Sequence, residues 1–307
     1  MALRPPVSRF LDVDGPVHVL DHGGPRDLPT VLCVHGLGSS AVSWRGLARA
    51  LRRDHRVVTV DLPGHGRSPR AGRSAGIEAN AALLARVMED VGPAVLVGHS
   101  MGAALAVKHA LAQPADVPGL VLLAPPMPRN PWERMTPELA CRVALCAWPW
   151  LARTALGARF RRLGAEEFVR RNLALTCASA ETVDEEIRQM LIQRAESGGV
   201  DDHATFVEAA RSVGLLVARA GDYRRSIATV TAPGLVLHGE ADRLVPPLEV
   251  QQLATLQPSW TTVVMPDIGH SPHMEAPVEV AERIRAFTAT LAATAPSGAA
   301  LEEVTAR

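Results

Sequence analysis

Val97-Gly98-His99-Ser100-Met101-Gly102 is the stretch on which the reading of this chain turns. A serine with glycine two places before and two places after it, set between an apolar run and a helix-forming run, fits a strained strand-to-helix turn that presents a hydroxyl. Side chains at 98 and 102 would collide as the chain doubles back, so both positions call for glycine. Ala94-Val95-Leu96-Val97 is a short continuous apolar run of the kind buried in a parallel sheet. Ala103-Ala104-Leu105-Ala106-Val107 opens a helix with little side-chain entropy to lose. A hydroxyl at that helix N-terminus meets positive dipole potential and free backbone N–H groups. The pattern implies a nucleophilic serine.

Working outward, the flanking sequence alternates between strand and helix. Segments 7–13 and 16–20 alternate apolar and polar around Asp14-Gly15 and read as an edge hairpin. After it come strand 31–34, a helix near 44–51, strand 57–60, helix 77–90, strand 94–97, helix 101–112 and strand 120–123. That order implies βαβ units, hence an α/β, mostly parallel, doubly wound sheet with helices on both faces. Pro125-Pro126-Met127-Pro128 breaks the pattern, and roughly a hundred residues of helical periodicity follow. They read as a helical cap inserted after the sixth strand. Within it, Thr182-Val183-Asp184-Glu185 reads as a capping box opening a helix with Val183, Ile187, Met190 and Leu191 on its apolar face. A further helix starts at Asp201 or Asp202. Arg159, Arg161, Arg162, Arg170 and Arg171 read as a solvated face laced to Glu166 and Glu167. Strand, helix, strand and helix then resume at 234–238, 248–256, 261–265 and 278–292. The implied organisation is core 1–125, cap 126–228, core 229–292 and a flexible tail 293–307.

Bulk composition narrows the partners. The 307 residues are 47% hydrophobic, with 32 basic and 32 acidic side chains. Such a balance gives no electrostatic pull on nucleic acid, anionic membrane or a highly charged substrate, and favours a neutral, apolar one. Cys33, Cys141, Cys146 and Cys177 have no metal-ligand spacing with histidine and read as free thiols in a reducing cytosol. Neither a metal nor another cofactor is expected. The first residues lack the apolar run of a signal peptide, and 143–152, the most apolar stretch, is too short to span a bilayer. A cytoplasmic protein without membrane insertion is therefore expected, of open oligomeric state.

Two later segments each bring a polar residue just past a buried-type strand: Leu235-Val236-Leu237-His238-Gly239-Glu240-Ala241-Asp242, and Thr262-Val263-Val264-Met265-Pro266-Asp267-Ile268-Gly269-His270. Together with His35-Gly36-Leu37-Gly38, Asp61-Leu62-Pro63-Gly64-His65-Gly66-Arg67-Ser68 and the turn at Ser100, they make the chain resemble the α/β-hydrolase superfamily over about residues 5–292. The order Ser, Asp, His is that of the superfamily's triad. The resemblance implies Ser100 as nucleophile, His270 as the base that removes its proton, and Asp242 as the carboxylate that holds the imidazole tautomer. His273 and Asp267 are the rival base and acid, and Asp267 reads more simply as a turn residue. The backbone N–H groups of Leu37 and Met101 are the implied oxyanion hole. His35, Gly36 and Gly38 in the oxyanion loop, and Trp132, Trp148 and Trp150 in the cap, are the candidate substrate-binding residues. His35, His65 and His99 each also sit beside a glycine and read as hydrogen-bonded props of tight turns. Pro149 is expected to break the helix between Trp148 and Trp150.

The superfamily's haloalkane dehalogenases and epoxide hydrolases place aspartate where Ser100 stands, so both are disfavoured. The leading expectation is a serine hydrolase of the carboxylesterase and lipase type, cleaving a neutral, largely apolar ester or thioester through an acyl-enzyme. Two other readings remain. One is a C–C bond hydrolase or natural-product tailoring enzyme on the same triad, and the other a small-molecule receptor or scaffold on the same fold.

Overall fold

The computed structural model describes residues 5–127, 148–198 and 200–294. Strands β1 (Val7–Asp12) and β2 (Pro16–Asp21) form the expected antiparallel hairpin, in register from Val7 opposite Asp21 to Asp12 opposite Pro16. Its turn places Asp14 and Gly15 at φ of 51° and 115°, and glycine takes the second value without strain. The chain continues through β3 (Thr30–Val34), α1 (Arg45–Leu51), β4 (Val57–Val60), α2 (Ile77–Val91), β5 (Ala94–His99), α3 (Met101–Ala112) and β6 (Leu120–Leu123). Among the described residues, α4 (Pro149–Thr176), α5 (Glu185–Ser197), α6 (Val200–Ala218) and α7 (Ala220–Ala228) follow. The closing elements are β7 (Gly234–Gly239), α8 (Pro247–Leu256), β8 (Thr261–Met265), the short α9 (Pro272–Glu275) and α10 (Pro277–Thr294).

The eight strands form one sheet in the order β1-β2-β4-β3-β5-β6-β7-β8. From β4 to β8 every neighbouring pair is parallel, and only the hairpin and its contact with β4 are antiparallel. Alternate residues of the central strands enter opposite cores, as a pleated strand buried on both faces requires. Leu32, Val34, Val58 and Leu96 pack with α2 and α3, whereas Val31, Cys33, Val95 and Val97 pack with Trp44, Leu47 and Ile284. The sequence pattern and the structure agree on an α/β-hydrolase-type sheet with a helical insertion between β6 and β7.

One local expectation in the insertion, the capping box at Thr182, is overturned. Pro149 starts α4 at its first turn, where the missing N–H costs nothing, so Trp148 precedes the helix and Trp150 lies within it. Thr182 does not cap α5. Its hydroxyl donates to the Ser179 carbonyl, and Asp184, two residues later, accepts the Glu186 N–H and takes the cap position. A carboxylate at the helix N-terminus has the stronger hold there. Of the expected charge lacing, Glu167 pairs with Arg170 and Arg171. Gly164, at φ 74°, kinks α4. Trp132, Cys141, Cys146 and the tail from 295 onward lie outside the described residues. Cys33 and Cys177 are buried free thiols. Among the described residues no helix is long and apolar enough to cross a membrane.

Candidate active site

The Ser100 turn is built by close backbone approach. Ser100 itself has φ 50° and ψ −117°, a conformation that costs a non-glycine residue energy and persists only where its surroundings impose it. A Cβ at Gly98 would stand 2.4 Å from the Gly102 carbonyl oxygen, and one at Gly102 would stand 2.0 Å from that of Val34. Neither distance admits a side chain. The Ser100 N–H donates to the Leu123 carbonyl at 2.9 Å, which ties the turn to β6. Met101 is the first residue of α3, where a backbone N–H has no partner within the helix. Leu37, half-buried, lies in the loop after β3, the strand beside β5.

His270 and Asp242 sit past the ends of β8 and β7, and the structure brings them together. The His270 Nδ1–H donates to Asp242 Oδ2 at 2.7 Å. The other carboxylate oxygen, Oδ1, accepts the Leu244 and Val245 N–H groups at 2.8 and 2.9 Å. Burial opposes the charge on Asp242, but His270, His238 and the Val245 N–H together hold its pKa below the usual carboxylate range. An ionised Asp242 fixes the His270 proton on Nδ1 and leaves Nε2 as the basic nitrogen. Of the rivals, Asp267 is an exposed turn residue at φ 57°, and His273 is fully buried against Trp44, ring centroids 4.3 Å apart.

The histidines beside glycines take up positions within the protein. His35 donates from Nδ1 to the Gly36 carbonyl at 2.7 Å and accepts the Leu62 N–H at Nε2 at 3.0 Å. Both ring nitrogens are thereby occupied, which leaves none for a substrate. His99 donates from Nε2 to the His270 carbonyl at 2.8 Å, joining the serine turn to the histidine loop. Burial pushes the pKa of His65 and of His99 down to about 3, so both rings are neutral. In the loop after β4, the Asp61 carboxylate accepts the N–H groups of Ala41 and Arg67 and the Nδ1–H of His18.

Gly38 is exposed at φ 69°, and the ring of Phe206 on α6 lies 3.0 Å from where its Cβ would stand. Gly36 packs against His99 and Ser100. Trp148 and Trp150 do not line an enclosed site: they are 58% and 67% exposed. A groove of about 550 Å³ runs between α4, α6 and the 70–76 loop, past Arg70, Arg153, Arg211 and Leu215, and neither Ser100, Asp242 nor His270 lines it. Among the described residues no group of three His, Cys, Asp or Glu could hold a metal ion.

Three residues near the site went unread in the sequence. His238 donates to the Val245 carbonyl at 2.8 Å and stands 3.4 Å from Asp242. Phe206 meets Gly38 in the loop after β3, and Glu275 accepts hydrogen bonds from the His270 loop. Nothing in the sequence marked Glu275, whose place in a buried run after His270 is a product of the fold.

Comparison with known proteins agrees with this architecture. A pimeloyl-acyl-carrier-protein methyl ester esterase of Aeromonas hydrophila subsp. hydrophila is 29% identical over 264 residues, covering 84% of this chain and 95% of that protein. A thermophilic esterase from Thermogutta terrifontis superposes with a TM-score of 0.68 at 26% identity, over 93% of this chain and 98% of that one. Haloalkane dehalogenase DbeA from Bradyrhizobium elkani USDA94 gives a TM-score of 0.78 at 21% identity, over 94% and 98% of the two chains, a likeness of fold alone. The sequence profile of the alpha/beta hydrolase family matches residues 31–283, most of the chain. This protein therefore belongs to the alpha/beta hydrolase family.

Proposed function

We propose that this chain hydrolyses carboxylic esters or thioesters of neutral, largely apolar acyl groups through an acyl-Ser100 intermediate. The observation that carries the reading is the 2.7 Å bond between His270 and Asp242, formed past strand ends in the same sheet that sets Ser100 in its strained turn. His270 Nε2 takes the Ser100 proton as Oγ bonds to the acyl carbon, and the carbonyl electron pair moves onto oxygen. The Leu37 and Met101 N–H groups receive that oxyanion; losing one such donor costs about 3–4 kcal/mol of barrier. The imidazolium returns its proton to the leaving alcohol or thiol. Water then attacks the acyl-enzyme with His270 again as base, releasing the acid and Ser100.

The relatives named as esterases support ester cleavage over other chemistry on this fold. In this reading the helices between β6 and β7 form a cap within residues 126–228, with Phe206 beside the oxyanion loop as one wall of the acyl site. Two buried free thiols fit a cytosolic location.

The test is fluorophosphonate labelling together with p-nitrophenyl ester turnover across acyl chain lengths, for the wild type, Ser100→Ala and His270→Ala. Labelling confined to Ser100, with kcat lowered on the order of 10⁶-fold in each variant, is the expected result. Full turnover in Ser100→Ala would exclude the mechanism.

A further inference from the structure

The loop that presents His270 is held by one buried carboxylate, and the same carboxylate holds the helical insertion. Glu275, on α9, is 8% exposed. Its Oε1 accepts the N–H groups of Gly269 at 3.0 Å and Ser271 at 3.3 Å, the two residues that flank His270. Its Oε2 accepts the Ala178 N–H at 2.7 Å and the Gly269 N–H at 3.1 Å. Ala178 comes immediately after Cys177, the residue that ends α4. The two segments also touch directly, since a Cβ on Gly269 would stand 2.5 Å from the Ala178 nitrogen. Three donors from two chain segments, 97 residues from Ala178 to Glu275, thus converge on a side chain that can only accept while ionised.

We infer that Glu275 is a positioning residue that couples the seat of the α4 C-terminus to the placement of the His270 imidazole. The inference rests on the reading of His270 as the base. Its physical content is geometric. His270 has its ring held by Asp242 and its main chain held by His99 at the carbonyl and by Glu275 at the peptide groups on either side. Releasing the Glu275 hold frees the loop to shift, and a misplacement of about 1 Å at a reacting group costs about 100-fold in rate. A displacement of Ala178 is passed to the same loop, because both draw on the same pair of oxygens.

Glutamine at 275 separates this role from packing. It preserves size but replaces one acceptor oxygen with an NH₂ donor, so at least one of the three N–H groups faces another donor. Ala178→Pro removes only the donor on the insertion side. Cys177, at φ −112° and ψ 150°, already has the extended backbone that a residue before proline prefers.

The experiment uses the full chain as Glu275→Gln, Ala178→Pro and the double variant. Rates are expressed per serine labelled to completion with fluorophosphonate, so that unfolded molecules do not count. Glu275→Gln is expected to lower kcat about 10- to 100-fold with KM nearly unchanged. Ala178→Pro should lower it in the same direction, and the double variant should fall no further than the deeper single, because one carboxylate mediates both effects. Amide hydrogen exchange read alongside in Glu275→Ala, which removes both oxygens, should show Ala178, Gly269 and Ser271 losing protection together. An unchanged kcat per labelled serine in Glu275→Gln, or effects that multiply independently in the double variant, would overturn the coupling. If Ala178→Pro fails to fold, exchange in Glu275→Ala decides: faster exchange at 269 and 271 with Ala178 unaffected also overturns it. Failure of the serine mechanism would appear separately, as turnover retained in Ser100→Ala.

Discussion

Helices α3 and α4 are both long enough to be stable, yet they are held in place by different forces. Nine of the twelve residues of α3 are buried, from Met101 through Ala110, whereas α4 buries Ala152, Gly157, Val169 and Leu173 out of twenty-eight. The first is fixed on all sides by the sheet and by α2, so every atom of the Ser100 turn inherits the rigidity of the core. The second is amphipathic only in patches and rests against the core through a small apolar cluster with Val183, Ile187 and Met274. Ion pairs add to that contact: Glu186 of α5 meets Arg45 and Arg49 of α1, and Glu208 of α6 meets Arg70. Precise geometry is placed where packing is dense, and the insertion rests on weaker, more exposed contacts.

The contrast is sharpest where a buried polar pair is broken. Asp242→Asn keeps the shape of the site but offers an amide donor to the loop N–H groups or to His270, so the ring loses the tautomer it needs. A fall in kcat of about 10⁴-fold, with the fold retained by circular dichroism, is expected. A decrease of less than tenfold would mean that the core does not hold the ring as described.

Next in size is an acid dependence of stability that belongs to the core. His35, His65, His99 and His273 are all buried with lowered pKa, to about 3 for His65 and His99. In the unfolded chain a histidine titrates near pH 6.5. Between that value and the lower folded value only the unfolded state takes up protons, so stability is full above about pH 6.5 and declines as pH falls through this window. Urea midpoints measured from neutral to mildly acidic pH should fall steadily, and His273→Phe should make the slope shallower. An identical slope in that variant would contradict the burial assigned to His273.

The smallest effect should come from the insertion. Glu186 is 44% exposed and pairs with Arg45 at 2.5 Å and Arg49 at 2.6 Å. Glu186→Gln should cost about 0.2–1 kcal/mol in thermal melts at low salt, and less as salt screens the pairs. A loss of several kcal/mol, insensitive to salt, would show the insertion to be locked as firmly as the core.

How much could be read from the residues follows the same division. The turn at Ser100 was legible because its steric demands fall on residue type: only glycine fits at 98 and 102, and the sequence has glycine at both. The parallel strands were legible from continuous apolar runs, and the hairpin from alternation around Asp14-Gly15. The placing of Asp242 beside His270 was implied by the family resemblance, which the polar residues past two strand ends supported. What depended on tertiary contact was not legible. The fate of Trp148 and Trp150 was decided by where α4 docks, and an aromatic side chain alone does not say whether a surface will cover it. The α5 cap went to Asp184 in a competition between neighbours that local pattern leaves open. Glu275 carries no local pattern that sets it apart, and its partner Ala178 is 97 residues away in sequence.

Strand order has one more consequence, for the chain as it is being made. β5 and its serine leave the ribosome before the insertion, and β7 and β8, which complete the sheet beyond β6, come last. A growing chain therefore carries the proposed nucleophile for more than a hundred residues before the carboxylate or the imidazole that would arm it is made. The side chains proposed to arm that serine reach it only with the strands that are made last.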